Sequence, residues 1–208
     1  MNKSDGVWVS VAPASTESVV ALEADILRVN NAFALDSIRR NRAGEPLSAA
    51  HFPKQINIDP NTDHPDVFTK TRHLFHGDHW YVSAACASVL QSCDLGNGAL
   101  YPVDFRQMDR KTPVPGQYYA LNFGNTKTAF VPSSSKNVRE NPYSKGFYQL
   151  YPIAEDGDVV VNSAALCRAD IWIDPSLSRA FFVSDRLATA LRASGCDKPF
   201  KLRRCRVV

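Results

Sequence analysis

The chain has 208 residues, 44% hydrophobic and 22% charged, so it can bury a substantial core and lacks the bias of a disordered or fibrous protein. Its net charge of +3 argues against an acidic mimic of DNA, and no run approaches the ~18 apolar residues of a membrane-spanning helix. Five cysteines, an odd number with no Cys-x-x-Cys pair, signal neither a disulfide framework nor a cysteine-held zinc. Free thiols in a reducing cytoplasm are expected, and VWVSVA near the N-terminus is too short for a signal-peptide core.

In chain order, VWVSVA reads as a strand. Ser15 or Thr16 then caps a predicted helix with Glu17 in its first turn and Val19, Val20, Leu22, Ile26, Leu27 and Val29 on its buried face. Asn30-Asn31 weakens or ends that helix, and residues 33–40 can continue it for a turn or two. Residues 41–72 hold many turn formers and predict loop, with a short strand at 55–58. Gly96-Asn97-Gly98 is a turn before the strand ALYPVDF, and YYALNF is the next strand. Residues 132–146 read as a polar loop, followed by strands FYQLYPI and GDVVVN. KPFKLRRCRVV has the interrupted alternation and the charge of an edge strand.

Two segments, 101 residues apart, say nearly the same thing. WYVSAACASVLQSCDLG from Trp80 aligns without a gap on FFVSDRLATALRASGCD from Phe181, setting Val82-Ser83 on Val183-Ser184 and Leu90 on Leu191. Each copy predicts a short aromatic and β-branched strand, a Ser that caps a helix, and about three helical turns. Strands do not alternate regularly with helices, so the expected fold class is α+β, a strand-rich single domain with two related strand-Ser-helix units at 80–93 and 181–194. The domain is expected to span 1–208, with 1–115 and 116–208 as candidate lobes and a seam near 113–117.

The second copy also carries a resemblance. IWIDPSLSRAFFVSDRLATALRASGCDKPF, residues 171–200, resembles the C-terminal end of a class of bacterial polymorphic-toxin immunity proteins, immunity family eleven. Members of that family end with a polar segment, a strand running into Val-Ser, an amphipathic helix, a Gly turn and a last strand carrying Phe. GQYYALNF at 116–123 is similar to the family's glycine-aromatic-Leu-Asn strand, and the C-terminal half matches best. The resemblance implies a cytoplasmic protein that binds and neutralises a cognate toxin. It implies no catalytic residue and no cofactor, and the neighbouring gene is the expected source of the toxin. Homo-oligomerisation stays open, and no membrane partner is expected.

Other chemistry has less support in the sequence. His73, His76 and His79, with Asp78, have residue types that zinc or nickel accepts, but Gly77 breaks a helix there and a strand would send alternate rings to opposite faces. A metal hydrolase built on them is the least favoured reading, and His51 and His64 are distant in sequence. Ser83 and Ser184 read as helix caps rather than nucleophiles. Residues 181–208 carry seven basic and two acidic side chains, a charge of +5 against −2 for the rest, which makes a nucleic-acid-binding accessory protein the alternative. For a toxin, the best patch is NVRENPYSKGFYQLY with the lysine before it. Lys136, Arg139, Tyr143, Phe147 and Tyr148 are the candidate interface residues, since Arg and aromatic side chains dominate interface hot spots.

Overall fold

The structure, a computed structural model, describes residues 6–62 and 68–208; His64 lies outside them. The chain begins with β1 (Val7–Ser10), β2 (Leu22–Ala24), α1 (Asp25–Val29), α2 (Asn31–Arg42) and β3 (Gln55–Ile58). It continues with β4 (Leu74–His76), β5 (Trp80–Ser83), α3 (Ala84–Gln91), β6 (Ala99–Arg106) and β7 (Tyr118–Asn122). Then come β8 (Val138–Asn141), β9 (Ser144–Leu150), β10 (Val160–Val161), β11 (Ile171–Trp172), β12 (Leu177–Ser178), β13 (Phe181–Ser184) and α4 (Asp185–Ala193). β14 (Leu202–Arg204) and β15 (Arg206–Val207) end it. The protein is a strand-rich α+β fold.

The repeated segments form the same structure twice. Ser83 accepts the Cys86 N–H at 3.3 Å and Ser184 accepts the Leu187 N–H at 3.2 Å, so each satisfies an orphan amide at the start of its helix. Leu90 and Leu191 are both buried. The strands split their side chains by the period of two that a pleat requires. Trp80 and Val82, with Phe181 and Val183, enter one shared core together with Cys86, Leu90, Leu187 and Leu191. Tyr81 faces a second core with Ile56, Phe75 and Tyr118, and Phe182 faces a third with Val9, Leu150 and Trp172. The helices α3 and α4 therefore meet between two sheets, each backed by its own outer core.

The sheets explain how the copies are completed. One has the order β2-β3-β6-β7-β5-β4 and the other β11-β13-β1-β14, with smaller sheets β12-β9-β8 and β10-β15. In the first, β5 runs antiparallel between β4 and β7, with Ser83 opposite Tyr118. In the second, β13 runs antiparallel between β11 and β1, with Ser184 opposite Val7. The position held by β7 in one unit is thus held by the chain's first strand in the other. Chain order and sheet order consequently part company at the expected seam. β1 sits in the sheet otherwise made from residues 171–204, and β7, just past residue 116, sits in the sheet otherwise made before residue 107.

Two local expectations are corrected. Residues 16–29 do not form one helix. Ser15 caps only a short 3-10 turn, and Leu22–Ala24 pair antiparallel with Ile58–Ile56 before α1 begins. The apolar spacing fits a helix, but pairing with β3 satisfies the backbone and buries Ala24 in the core. α2 restarts beyond Asn30, whose side chain accepts the Phe33 N–H at 3.1 Å, and runs to Arg42. Residues 138–146 are not loop either. β8 and β9 form a hairpin closed at Pro142-Tyr143, where the Asn141 side chain accepts the Tyr143 N–H at 2.9 Å.

Candidate partner-binding site

The hairpin stands out from the body at its tip. Tyr143 is 95% exposed and Phe147 53% exposed. The pleat separates the sequence-predicted residues. Tyr148 turns inward, its ring 5.7 Å from Phe130, and belongs to the core behind the C-terminal sheet. Phe147 and Gln149 face the other way. Arg139 is opposite Gln149 in register, so it shares their face. Lys136 is exposed just before the hairpin, its N–H donating to the Asp158 carbonyl at 2.8 Å. Four of the five predicted residues are therefore accessible, three of them on the hairpin, while Tyr148 is largely structural.

Beside that face lies a groove of about 580 Å³. Its floor is where the two units meet. The Trp80 and Phe181 rings pack edge to face at 5.7 Å, with Phe123 5.2 Å from Phe181. One wall is the segment from Ile173 to Ala180, the other is the end of α2 with the β4–β5 turn, and Phe147 of the hairpin forms a lip. Two guanidinium groups line it. Arg42 reaches the Asp78 carbonyl at 3.4 Å, and Arg179 donates at 2.6 and 2.8 Å to the Gln149 carboxamide oxygen when that amide is turned to match its donors. Neither forms an ion pair among the described residues. Of the two acids in the groove, Asp174 is buried and turned inward, accepting the Ala129 and Phe130 N–H groups at 2.8 Å and the Ser176 hydroxyl at 2.7 Å. Burial raises the Asp78 carboxyl above its usual range.

The groove is what sequence reasoning missed. Arg42, Trp80, Phe123, Phe147, Arg179 and Phe181 share no local spacing. The one local oddity is Arg179, which holds a left-handed backbone at φ 58°, in the turn entering β13.

The three histidines occupy separate environments. His73 Nδ1 lies 2.8 Å from the Ser83 hydroxyl. His76 lines the groove, its ring 4.4 Å from Trp80, and burial lowers its pKa. His79 is buried against Phe52 at 4.9 Å. Among the described residues, no group of three or more His, Cys, Asp or Glu side chains is placed to hold a metal ion. All five cysteines are free thiols, and burial raises the pKa of Cys86 and Cys205.

The basic C-terminal segment is largely committed to the fold. β14 is an edge strand as expected. Arg186 pairs with Asp170, Lys201 with Glu17 at 2.8 Å, and Arg203 and Arg206 donate to the carbonyls of Ala154 and Ser134. Arg192 covers the Trp8 ring at 3.9 Å, taking a face on which a base would stack. No helix among the described residues is long and apolar enough to cross a membrane.

Comparison with known proteins agrees with the resemblance read from the sequence. No curated protein matches the chain. A family model described as "Immunity protein family (Imm11)" matches residues 17–206, nearly the whole chain, and the protein belongs to that family.

Proposed function

We propose that the protein neutralises a cognate toxin by stoichiometric binding, without turnover, in the cytoplasm of the cell that makes both. Membership of the immunity family supports the class of function. The observation that carries the interface is the hairpin, which holds out Arg139, Tyr143 and Phe147 as exposed side chains, Tyr143 almost wholly and Phe147 by about half. Such side chains bury large area at low entropic cost, and an arginine fork can take a carboxylate with two bonds. Neutralisation then follows from occlusion of the toxin's active site or of a surface it requires.

The test is co-expression of the toxin domain encoded by the neighbouring gene with wild-type protein and with the Arg139→Ala, Tyr143→Ala, Phe147→Ala triple variant. Wild type should protect and bind. The variant should lose roughly thirtyfold or more in affinity, the usual effect of removing an anchor worth about 2 kcal/mol. Unchanged affinity in a folded triple variant would move the interface elsewhere, and a wild type that neither binds nor protects would end the toxin-binding reading.

A further inference from the structure

We propose that the groove between the two units receives an anchor of the toxin: an aromatic or long aliphatic side chain with an acidic residue beside it on the same segment. This rests on the toxin-binding reading and goes further by naming the chemistry of the segment that docks.

Three features lead there. The first is shape and lining. About 580 Å³ is within the ~300–1,000 Å³ range of pockets that take a large organic group, and Trp80, Phe123, Leu177 and Phe181 make its interior apolar. The second is charge. Arg42 and Arg179 present guanidinium groups whose nearest partners are a neutral carbonyl and a neutral carboxamide. A carboxylate is the group that a planar fork of donors binds best. The two resident acids leave both guanidinium groups without an ion pair among the described residues: Asp174 spends its oxygens on backbone and Ser176 donors inside the fold, and Asp78, though near enough to feel the Arg42 charge, is disfavoured as a carboxylate by burial. The third is continuity with the hairpin. Phe147 belongs to both the groove and the exposed arm, and Gln149, which holds Arg179, stands opposite Arg139 in the sheet. A segment lying along the exposed face of the hairpin passes over the groove mouth.

The experiment has two arms, both on the full chain. In the first, 3-phenylpropionate and 3-phenylpropanol serve as probes and are titrated while the Trp80 indole N–H resonance is followed. The carboxylate should bind about tenfold more tightly than the alcohol. Arg42→Gln with Arg179→Gln should make the two equal, and Ala43→Phe, which fills the mouth from an exposed position, should abolish both. Equal binding of the two probes to wild type would overturn the acidic part of the proposal. In the second arm the neighbouring toxin domain replaces the probes. Ala43→Phe and the double Gln variant, each melting like wild type, should each weaken the complex tenfold or more. If both hold the toxin as wild type does, the groove is not a docking site, whatever it does with the probes, and the toxin-binding reading stands. If wild type itself fails to bind the toxin, that reading falls and the proposal falls with it.

Discussion

Trp80 and Phe181, which the internal repeat sets at equivalent positions, touch each other: their ring centroids are 5.7 Å apart and their planes meet at 74°. The two units therefore face one another across the shared core, and each supplies the same strand position to it. Backbone hydrogen bonds repeat in the same way. The Ala84 N–H donates to Gln117 O and the Asp185 N–H to Gly6 O, both at 2.8 Å. The Ser83 N–H donates to His73 O at 3.3 Å and the Ser184 N–H to Asp170 O at 2.9 Å. The groove opens over this contact, so the seam that stabilises the fold is also the floor of the proposed binding site.

The ring pair should be measurable by a double-mutant cycle. Phe181→Ala opens a cavity in a packed core and should cost about 3–5 kcal/mol, with a similar cost for Trp80→Ala. Urea denaturation of the two single variants and the double should give a coupling of about 0.5–1.5 kcal/mol. Strict additivity would mean that the rings sit side by side without depending on each other.

The repeat units were legible because their signals are local: a β-branched strand, a Ser at the cap, and apolar residues at helical spacing. The strand at Gln55–Ile58, the strand after the Gly-Asn-Gly turn and the basic edge strand were readable for the same reason. Residues 16–29 were not, because Leu22 and Ala24 answer to a partner strand more than thirty residues away. Asn141-Pro142 is a turn signal and marks the hairpin in retrospect, but the polar residues before it carry no alternation. Of the interface, the exposed aromatics were readable as types. That Tyr148 points inward while Phe147 points out follows from the pleat, and needs the register with Val138–Asn141.

That difference separates two tyrosines experimentally. Tyr143→Ala should leave thermal stability within about 0.5 kcal/mol of wild type, since the side chain is almost wholly exposed. Tyr148→Ala should lose roughly 1–3 kcal/mol, because its ring packs on Phe130 and the core behind it. Toxin affinity should show the reverse order, with the larger loss at Tyr143. A stability loss at Tyr143 comparable to that at Tyr148 would contradict the geometry.

Stability should fall as pH drops from about 6.5 towards 4. His79 is 1% exposed, neither ring nitrogen has a hydrogen-bond partner among the described residues, and burial pushes its pKa from 6.5 down to about 4. Below the unfolded value the unfolded chain takes up a proton that the folded chain refuses, so unfolding gains on acidification until the folded ring also titrates. The window corresponds to about 3 kcal/mol, at ~1.4 kcal/mol per unit. His76, lowered by the same cause, acts in the same direction, and Asp78, raised by burial, offsets part of it. Asp36, Asp109 and Asp158 have lowered values, so their loss comes only at lower pH, from about their unfolded value of 3.8 downward. His79→Phe keeps a ring against Phe52 and should flatten most of the slope. An equally steep slope in that variant would assign the acid sensitivity to other groups.

The placement of β1 gives the strongest test of the architecture. In the first unit the chain runs from β6 through residues 107–117 into β7. In the second, β14 leaves off beside the start of β1, with the Cys205 N–H donating to Val7 O at 2.8 Å, yet β1 comes from the other end of the chain. The second unit thus has the strand arrangement of the first with its last strand moved to the N-terminus. Joining residue 208 to residue 6 through about six Gly or Ser residues, which span up to ~20 Å, and opening the chain between exposed Thr16 and Glu17 would restore the order of the first unit. This permuted chain should fold, melt within several degrees of wild type and bind the same partner. Deleting residues 1–11 should instead unfold the chain, because it empties a central position of the four-stranded sheet and removes Val7, Val9 and Val11 from the core. A truncated chain that keeps wild-type stability, or a permuted chain that fails to fold while its linker variants fail likewise, would show that β1 is not the missing strand of the second unit.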